Sequence, residues 1–556
     1  MRRDKGAVPA LLLAVGALSA ALWLVAASAL AQDAQSATRP AARSDAARPD
    51  TQKGDTARAP ATSNRLPADS RTTQALVSGG RTLHFTATAG ALPITNPQGR
   101  VLAEIAYVAY TLDGGETKQR PVTFAFNGGP GSASTWLHLG GLGPWRVPLT
   151  PAMAQPSVVP TLLVNAESWL DFTDLVFIDP VGTGFSRVVT ETSPAAGGQS
   201  QGGAQPSGGG GGRGAGNREE GGPRWFWSVA GDVESFADFI QSWLKRNDRL
   251  ASPKMLVGES YGGFRGPRIA HLLQRQRGVG INAMILISPV LDFESRRGGH
   301  LPIYFANLLP SIAAAALERR NVEPSRAGLK EIEDYARGDY LLDLLRGPRN
   351  TAAVDRVVAR VADAAGLPVD NVRRHGGRLG AIAYMREVNG PERRVASLYD
   401  VSMTGFDPYP SAPGSRFDDP FTTGLSAPLT SAMLEIYGRL NWRVERPYEM
   451  LSNETNRGWI WSNSPSSPES ISSLREVLAL DPRMRTLVTH GFTDLVTPYM
   501  ASELLLDQLP AYGDPARVAL KVYPGGHMHY SRDGSRAALR RDAEALLGEA
   551  LRQPGQ

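Results

Sequence analysis

The chain has 556 residues, of which 42% are hydrophobic and 20% charged, a composition typical of globular proteins. Its formal net charge is +5, and part of that charge lies among the first five residues. The rest is too small and too dispersed to form the basic surface of a nucleic-acid-binding protein. The sequence has no cysteine, which excludes disulfide bonds and a lipid-modified cysteine anchor.

Residues 1–31 have the three parts of a secretory signal peptide. These are a basic start, an uncharged apolar stretch over residues 6–31, and small residues at Ala29 and Ala31 before Gln32. The apolar stretch is also long enough to span a bilayer, so an uncleaved anchor is the alternative. The cleavage motif and the polar sequence behind it favour cleavage. We therefore expect a periplasmic or secreted bacterial protein without stable membrane association after cleavage.

The next region lacks the residues of a core. Residues 32–72 contain hardly any large apolar side chain, which predicts a disordered linker. Alternating apolar and polar residues then predict strands over 81–88 and 101–112, and short apolar runs predict buried strands over 122–126 and 175–179. A folded domain is therefore expected to start at about residue 73.

Residues 193–223 are dominated by glycine. This predicts a flexible insertion rather than a phosphate-binding loop, because such a loop has few glycines at fixed offsets. Apolar residues at helical spacing predict a helix over 232–245, and short apolar runs predict strands over 255–257 and 283–287. A second helix, ending at about Gln274, is expected between these two strands.

Residues 291–481 have mostly helical patterns, with helices predicted over 304–319, 326–345, 351–365 and 431–440. Short strands return over 485–488 and 519–522, and a helix over 535–551 follows them. Strands and helices thus alternate in 73–290 and 482–556, on both sides of a helical insertion. This arrangement predicts one α/β domain in which residues 291–481 form a helical insertion, referred to below as the cap.

The sequence Gly258-Glu259-Ser260-Tyr261-Gly262 joins the predicted strand over 255–257 to the helix behind it. A Gly-x-Ser-x-Gly turn of this kind holds its serine on a tight, exposed elbow, where strand and helix leave no room for other side chains. Ser260 is therefore the candidate nucleophile. The motif also arises by chance in a chain with 59 glycines, so its partners have to support it.

A serine hydroxyl needs a base, usually histidine, that a carboxylate orients. In a strand-elbow-helix arrangement the acid and then the histidine follow the serine along the chain. His527 stands on a glycine turn after the last predicted strand, with His529 as its rival. Asp494 follows the preceding strand and a glycine, and a helix N-cap is its alternative role. Order and spacing favour Asp494 and His527 as the partners of Ser260.

A tetrahedral intermediate needs backbone N–H groups that point at its oxyanion. One is expected from Tyr261, which follows the serine at a helix start, where the helix dipole also helps. The other is expected from the glycine loop, defined here as residues 127–131 (Asn-Gly-Gly-Pro-Gly), with Gly129 as the predicted donor. An ordinary tight turn is the alternative interpretation of this loop.

Five motifs occur in order along the chain: NGGPGS at 127–132, IDPVGTGFS at 178–186, GESYGG at 258–263, GFTD at 491–494 and GHM at 526–528. Together they resemble the serine carboxypeptidase family over about residues 120 to 530. The resemblance implies an α/β-hydrolase fold with a mixed, mostly parallel sheet and a helical cap. It also implies release of single residues from peptide C-termini, without a metal or cofactor and often best at acid pH.

The resemblance assigns Ser260, Asp494 and His527 to a catalytic triad, and Gly129 and Tyr261 to an oxyanion hole. It also assigns Asn127 and Glu259 to the recognition of the substrate's terminal carboxylate.

The family uses a second Glu for that carboxylate, and here Gly141 stands in its place. Two carboxyl groups bind each other only when one of them is protonated, because two like charges repel at close range. The missing Glu therefore weakens this recognition or leaves it to another group, such as Arg146 or Arg265. Ser132 also stands where the family commonly has a cysteine.

Three functions are compatible with these patterns. The first is a serine carboxypeptidase that hydrolyses C-terminal peptide bonds through an acyl-enzyme, with a peptide as its substrate and no nucleic acid as a partner. The second is an esterase, amidase or acyltransferase that uses the same centre, and Gly141 motivates it. The third, which the sequence favours least, is a non-catalytic secreted protein that binds a ligand in the cleft.

Overall fold

The computed structural model describes residues 65–78, 80–189, 222–296, 301–412, 418–462 and 466–552. The predicted signal peptide and nearly all of the predicted glycine-rich insertion over 193–223 lie outside these residues. Across these six ranges, no helix combines the length and the apolar character needed to cross a membrane.

The described residues contain the following strands: β1 (Ser70–Ser78), β2 (Arg81–Thr95), β3 (Val101–Leu112), β4 (Val122–Phe126), β5 (Trp145–Arg146), β6 (Leu163–Val164), β7 (Asp174–Ile178), β8 (Arg187–Val188), β9 (Lys254–Glu259), β10 (Ala283–Ile287), β11 (Arg394–Ala396), β12 (Thr404–Phe406), β13 (Arg485–Gly491) and β14 (Val518–Tyr523).

The α-helices are α1 (Thr135–Leu137), α2 (Pro223–Phe226), α3 (Val229–Arg246), α4 (Tyr261–Gln276), α5 (Pro302–Arg319), α6 (Arg326–Tyr335), α7 (Leu341–Arg346), α8 (Thr351–Ala365), α9 (Val369–Arg374), α10 (Ala381–Glu387), α11 (Pro420–Arg439), α12 (Asn453–Gly458), α13 (Ile471–Leu480), α14 (Tyr499–Leu506) and α15 (Asp533–Leu551). Short π-helical turns cover His138–Leu142 and Ala336–Tyr340, and a 3-10 turn covers His529–Ser531.

Ten strands form one mixed sheet in the order β1-β2-β3-β7-β4-β9-β10-β13-β14, with β8 also beside β3. The strands from β7 to β14 in this order are parallel to one another. The strands β1, β2, β3 and β8 make antiparallel pairs. The predicted α/β class with a mixed, mostly parallel sheet is therefore confirmed.

Apolar side chains cover both faces of this sheet. Met255 and Val257 of β9 belong to a hydrophobic cluster on one face, and Leu256 between them belongs to a cluster on the other. Helices α11 and α15 pack into the first cluster, and α3, α4 and α13 pack into the second. Because both faces are buried, the central strands are continuous apolar runs rather than alternating ones.

Parallel strands end at the same edge of a sheet, so the loops after β4, β9, β10, β13 and β14 meet there. This edge carries the glycine loop, Ser260, Asp494 and His527. The helices between β10 and β13 have a further apolar core, formed by side chains of α5, α6 and α8 together with α14.

The predicted linker over 32–72 was wrong at its end. Strand β1 begins at Ser70 and pairs with β2 along its full length. Leu66 is buried, and Arg65 Nε donates a hydrogen bond to Glu104 Oε1 at 2.6 Å. The sequence signal is weak because β1 is an edge strand in which Leu76 alone is buried and most other residues are polar.

Candidate active site

Ser260 occupies a sharp turn between β9 and α4. Its φ of 60° and ψ of −120° form a backbone conformation that residues with a side chain rarely adopt. Ser260 N donates a hydrogen bond to Ile287 O at 2.9 Å, which holds the turn against β10. A Cβ at Gly258 would lie 2.2 Å from Gly262 O, so the turn requires glycine there. The chain thus passes directly from strand to helix and leaves Ser260 only partly buried.

Asp494 and His527 form a buried pair on the loops after β13 and β14. His527 Nδ1 lies 2.8 Å from Asp494 Oδ2. The hydroxyl of Thr497 lies 2.7 Å from the same carboxylate oxygen and 3.0 Å from His527 Nδ1. Asp494 Oδ1 accepts hydrogen bonds from the backbone N–H groups of Val496 and Thr497, both at 2.8 Å. The carboxylate therefore fixes the imidazole ring with Nδ1 toward Asp494 and Nε2 away from it.

The charges of this pair stabilise each other. Burial pushes the pKa of Asp494 upward, but His527 and His490 together outweigh burial and hold that pKa well below its usual range. Burial pushes the pKa of His527 downward, but the Asp494 carboxylate outweighs it and leaves that pKa above the ordinary 6.5. Asp494 is therefore ionised at every pH at which His527 changes its charge.

The loop after β10 connects the histidine to the serine elbow. Ser288 Oγ donates a hydrogen bond to His527 O at 2.7 Å, and Thr497 Oγ1 donates one to Ser288 O at 3.0 Å. His527 Nε2 is buried and makes no hydrogen bond within the described residues. Hydrogen bonds between catalytic groups are often formed only when substrate is bound, so a free Nε2 at this edge is available as a base.

His529 and the helix-cap role for Asp494 do not fit the geometry. His529 Nε2 lies 3.1 Å from Thr489 Oγ1, and burial lowers the pKa of His529 to about 3. Helix α14 has Pro498 as its N-cap residue, so Asp494 caps only the turn before the helix. The structure thus brings Asp494 together with His527 and leaves His529 outside the pair.

The glycine loop packs directly on the serine elbow. A Cβ at Gly128 would lie 2.4 Å from Tyr261 N, so the two backbones touch at this point. Tyr261 is the first residue of α4, and Gly129 has a φ of 102°. Neither of the N–H groups of Gly129 and Tyr261 donates a hydrogen bond within the described residues. Both predicted donors therefore lie on the two segments that flank Ser260, with their N–H groups unused.

Asn127 and Glu259 meet beside the nucleophile. Asn127 Nδ2 donates a hydrogen bond to Glu259 Oε1 at 2.8 Å, and Leu137 N donates one to Asn127 Oδ1 at 3.0 Å. The hydroxyl of Tyr530 donates to Glu259 Oε2. Burial raises the pKa of Glu259 to about 7. Glu259 therefore carries a proton over much of the acidic and neutral range.

Arg146 and Arg265 were the candidates to replace the missing Glu in binding the substrate's carboxylate, and neither of them contacts Glu259. Arg265 is fully buried, where it donates to Asp232 Oδ2 at 2.7 Å and to Asn127 O at 2.7 Å. Arg146 Nη2 lies 3.8 Å from Asp533 Oδ1 and forms no ion pair with Glu259. Gly141 lies in the π-helical turn His138–Leu142, with its neighbours packed around Tyr530.

Two neighbouring cap residues contact the loops that carry His527 and Asp494. His527 N donates a hydrogen bond to Tyr399 O at 2.5 Å, and the Tyr399 ring lies edge-on to the imidazole at 5.3 Å between ring centroids. Leu495 N, next to Asp494, donates to Leu398 O at 3.2 Å. The backbone at 398–399 thus supports both loops of the buried pair.

Sequence reasoning missed Thr497, Ser288, Tyr399 and Tyr530. Thr497 stands three residues after Asp494, where a hydroxyl before a proline and a helix was a usable signal. The contacts of the other three join distant parts of the chain and leave no local pattern. Among the described residues no group of three or more His, Asp or Glu side chains could hold a metal ion.

Comparison with known proteins finds similarity to serine carboxypeptidases. Residues 81–309 match the serine carboxypeptidase family model. The serine carboxypeptidase-like protein 36 of Arabidopsis thaliana is 26% identical over 236 residues, which are 41% of this chain and 39% of that protein. The pheromone-processing carboxypeptidase KEX1 of Coprinopsis cinerea is 39% identical over 71 residues, which are 13% of this chain and 11% of that protein. The aligned region thus spans about two fifths of the first relative.

The crystal structure of Kex1(Δ)p, a prohormone-processing carboxypeptidase from Saccharomyces cerevisiae, has the same fold. It superposes with a TM-score of 0.52 and 17% sequence identity, covering 84% of this chain and 92% of that chain. The family model matches the segment that carries the glycine loop and the serine elbow, and the solved structure shares the fold of the chain: over residues 81–309 the chain is similar to the serine carboxypeptidase family.

Proposed function

We propose that the protein is a serine carboxypeptidase, which hydrolyses the C-terminal peptide bond of its substrate through an acyl-enzyme. The observation that carries the proposal is the buried pair of Asp494 and His527, whose free Nε2 lies at the same sheet edge as the Ser260 elbow. The similarity of residues 81–309 to the serine carboxypeptidase family supports the same reaction.

In the first half of the reaction, Ser260 Oγ attacks the carbonyl carbon of the last peptide bond and His527 Nε2 takes the hydroxyl proton. The negative charge that develops on the carbonyl oxygen is received by the N–H groups of Gly129 and Tyr261. When the C–N bond breaks, His527 returns the proton to the leaving amine. The last amino acid then departs, and the rest of the peptide stays on Ser260 as an ester.

In the second half, His527 takes a proton from a water molecule, which attacks the ester carbonyl. The proton passes to Ser260 Oγ as the C–O bond breaks, and the shortened peptide leaves with a new carboxylate. Asp494 keeps its charge in both halves and stabilises the positive imidazolium.

Recognition of the substrate's end is assigned to Asn127 and Glu259. A protonated Glu259 donates a hydrogen bond to the terminal carboxylate, whereas an ionised Glu259 repels it. Because the pKa of Glu259 is raised to about 7, the donor form is the main form below about pH 7.

Replacement of the nucleophile tests the chemistry. We expect Ser260→Ala to lower kcat/KM on an N-blocked dipeptide by about 10⁴-fold or more, because the acyl-enzyme cannot form. The same variant should not be labelled by a fluorophosphonate probe. Ser472→Ala, an exposed serine of α13, is the matched control and should behave as wild type. Residual activity of Ser260→Ala within tenfold of wild type would contradict the assignment.

A second candidate, an esterase, amidase or acyltransferase, is favoured by one observation: no carboxyl stands at Gly141. The two functions differ in their need for a free substrate carboxylate. A carboxypeptidase should cleave an N-blocked dipeptide at least tenfold faster, in kcat/KM at pH 6, than the C-terminal amide of the same dipeptide. Equal rates on the two substrates would favour the second candidate.

A further inference from the structure

Glu259 is a buried carboxyl that accepts two hydrogen bonds and has no Lys or Arg partner among the described residues. It is 2% exposed, and no Lys or Arg side chain of the described residues forms an ion pair with it. Asn127 donates to Oε1 and Tyr530 donates to Oε2. A neutral carboxyl group has one O–H to donate, and the two donors occupy one acceptor position on each oxygen. The O–H of Glu259 is therefore directed away from both donors.

Tyr530 fills a space that two glycines leave open. Its side chain is fully buried, three residues beyond His527 in the 3-10 turn His529–Ser531. A Cβ at Gly140 would lie 2.6 Å from the ring carbon Cε2 of Tyr530, and a Cβ at Gly141 would lie 3.2 Å from Cδ2. The ring thus passes over the backbone of the π-helical turn to reach Glu259, and a side chain at either position would displace it.

The backbone of Tyr530 is also held in place. Arg536 Nη1 donates to Tyr530 O at 3.3 Å, and Arg536 forms ion pairs with Asp533 and Glu167. The tyrosine hydroxyl is therefore presented to Glu259 from a fixed turn.

We propose that Tyr530 is the positioning residue of the subsite that receives the substrate's terminal carboxylate. Its hydroxyl, seated over Gly140 and Gly141, orients Glu259 so that the Glu259 proton points at the incoming carboxylate. The inference rests on the proposed carboxypeptidase function and assigns part of its specificity to a residue outside the sequence motifs.

The positioning role of Tyr530 predicts a change in how KM for the free-acid substrate depends on pH. The titratable groups that face Glu259 are His527, Asp494, Tyr399 and Tyr530. A hydrogen bond from the Tyr530 hydroxyl favours the charged carboxylate, so its removal raises the pKa of Glu259. Loss of Tyr530 therefore weakens binding of the carboxylate, but extends the protonated state of Glu259 to higher pH.

The experiment compares wild type with Tyr530→Phe on a blocked dipeptide and on its amide between pH 5 and 9. For the free-acid substrate we expect KM to rise about tenfold at pH 6, with kcat unchanged within about twofold. The pH at which KM for the acid begins to increase should move upward. For the amide, both constants should stay within about twofold of wild type. Tyr340→Phe removes another buried hydroxyl, bonded to Gly377 O in the cap, and is the matched control.

A double-variant cycle tests whether Tyr530 acts through Glu259. In a Glu259→Ala background, adding Tyr530→Phe should change KM for the acid by less than about twofold. If the full tenfold effect persists there, or if Tyr530→Phe affects acid and amide alike, the inference is overturned.

The outcomes separate this inference from the proposed function. If wild type prefers the acid to the amide and Tyr530→Phe retains that preference and its pH dependence, only the role of Tyr530 fails. If wild type cleaves both equally, the carboxypeptidase function fails first. Should Tyr530→Phe not fold, Gly141→Ala pushes the ring by a few tenths of an ångström and should raise KM for the acid alone. An unchanged KM in that variant would overturn the inference.

Discussion

Asp179 is a carboxyl group buried next to the glycine loop, with no cation of the described residues in ion-pair contact. Its Oδ1 accepts a hydrogen bond from Ser134 N at 2.8 Å, and its Oδ2 accepts one from Tyr448 OH at 3.3 Å. A Cβ at Gly184 would lie 1.9 Å from Oδ2, so the chain closes tightly around the carboxyl. Burial raises the pKa of Asp179 to about 7. The folded protein therefore keeps a proton on Asp179 at pH values where the unfolded chain has lost it.

This proton makes stability fall with rising pH. An unfolded aspartate titrates at about 3.9. Below that pH Asp179 is protonated in both the folded and the unfolded state, and its full contribution to the free energy of unfolding is present. Between about pH 4 and 7 only the unfolded state releases the proton, so the free energy of unfolding decreases until the pH reaches the folded pKa. We expect Asp179→Asn to remove this loss and to be more stable than wild type at pH 8 by on the order of 2 kcal/mol, with the two proteins alike at pH 4. Urea unfolding at both pH values measures it.

Asp248→Asn is the control for this prediction. Asp248 is an exposed aspartate that pairs with Lys118 at 2.8 Å, and such surface pairs contribute less than about 1 kcal/mol. Its replacement should leave the pH dependence unchanged. A wild-type-like pH slope in Asp179→Asn would mean that Asp179 is ionised in the folded protein.

The sequence was most informative for residues whose role depends on local chain geometry. Ser260, Asp494 and His527 each follow a short apolar strand and stand in or beside a glycine turn, which is visible in a few consecutive letters. The hydroxyl of Tyr530 contacts Glu259, which lies 271 positions earlier in the chain, and no local sequence pattern near Tyr530 indicates this contact. The roles assigned to these residues stay predictions until the variants are measured.

At the scale of elements, one buried ion pair joins two helices to the glycine loop. Asp232 of α3 accepts from Arg265 of α4 at 2.7 Å, and the same guanidinium donates to Asn127 O. The guanidinium also stacks on the ring of Phe236 at 4.4 Å. Helix α4 carries the serine elbow at its start, so this pair fixes the distance between the elbow and the loop.

Asp232→Ala should therefore be strongly destabilising. It leaves the charge of Arg265 buried without its carboxylate, which costs about 3–5 kcal/mol in comparable sites. Asp238→Ala is the matched control, because Asp238 also lies on α3 and pairs with an arginine, Arg277, but at the partly exposed surface. Its cost should stay below about 1 kcal/mol. Chemical denaturation of both variants measures the difference, and similar losses in the two would contradict the argument.

The bounds of the elements were predictable where caps and apolar spacing agree. Helix α8 has the predicted bounds, because Asn350 caps its start and Gly366 ends it in a left-handed conformation. Helix α11 begins eleven residues earlier than its predicted start at 431. Its first half contains Gly424 and Pro428, two residue types with low helix propensity. The helix forms there because Phe421 and Leu425 are buried in the main core, and this packing stabilises it.

At the scale of the molecule, the proposed mechanism makes the pH profile depend on two groups, one on the loop after β14 and one at the end of β9. In that mechanism His527 must be neutral to act as a base, and its pKa lies above 6.5. Glu259 must be protonated to receive a free carboxylate, and its pKa is about 7. His527 becomes neutral as the pH rises, whereas Glu259 becomes protonated as the pH falls, so both conditions hold only in a narrow pH range.

We expect kcat/KM for a C-terminal amide to rise with pH and reach a plateau once His527 is neutral. For the free-acid substrate, kcat/KM should rise in the same way and then fall as the pH passes about 7, because ionised Glu259 repels the substrate. Initial rates on both substrates between pH 4 and 9 provide the measurement. Superimposable profiles for the acid and the amide would show that Glu259 does not face the carboxylate.

The contact between His527 N and Tyr399 O has a consequence for how this fold can change. The cap supplies a backbone acceptor to the segment that carries His527, so a movement of the inserted region at this point would also move that segment. A cap that lifted away as a rigid body would break the hydrogen bonds that Leu398 O and Tyr399 O accept, so we expect the cap to stay in place at 398–399 when substrate binds. An exchange of this cap for another would have to keep two backbone carbonyl groups at these positions, because the hydrogen bonds use Leu398 O and Tyr399 O rather than side chains.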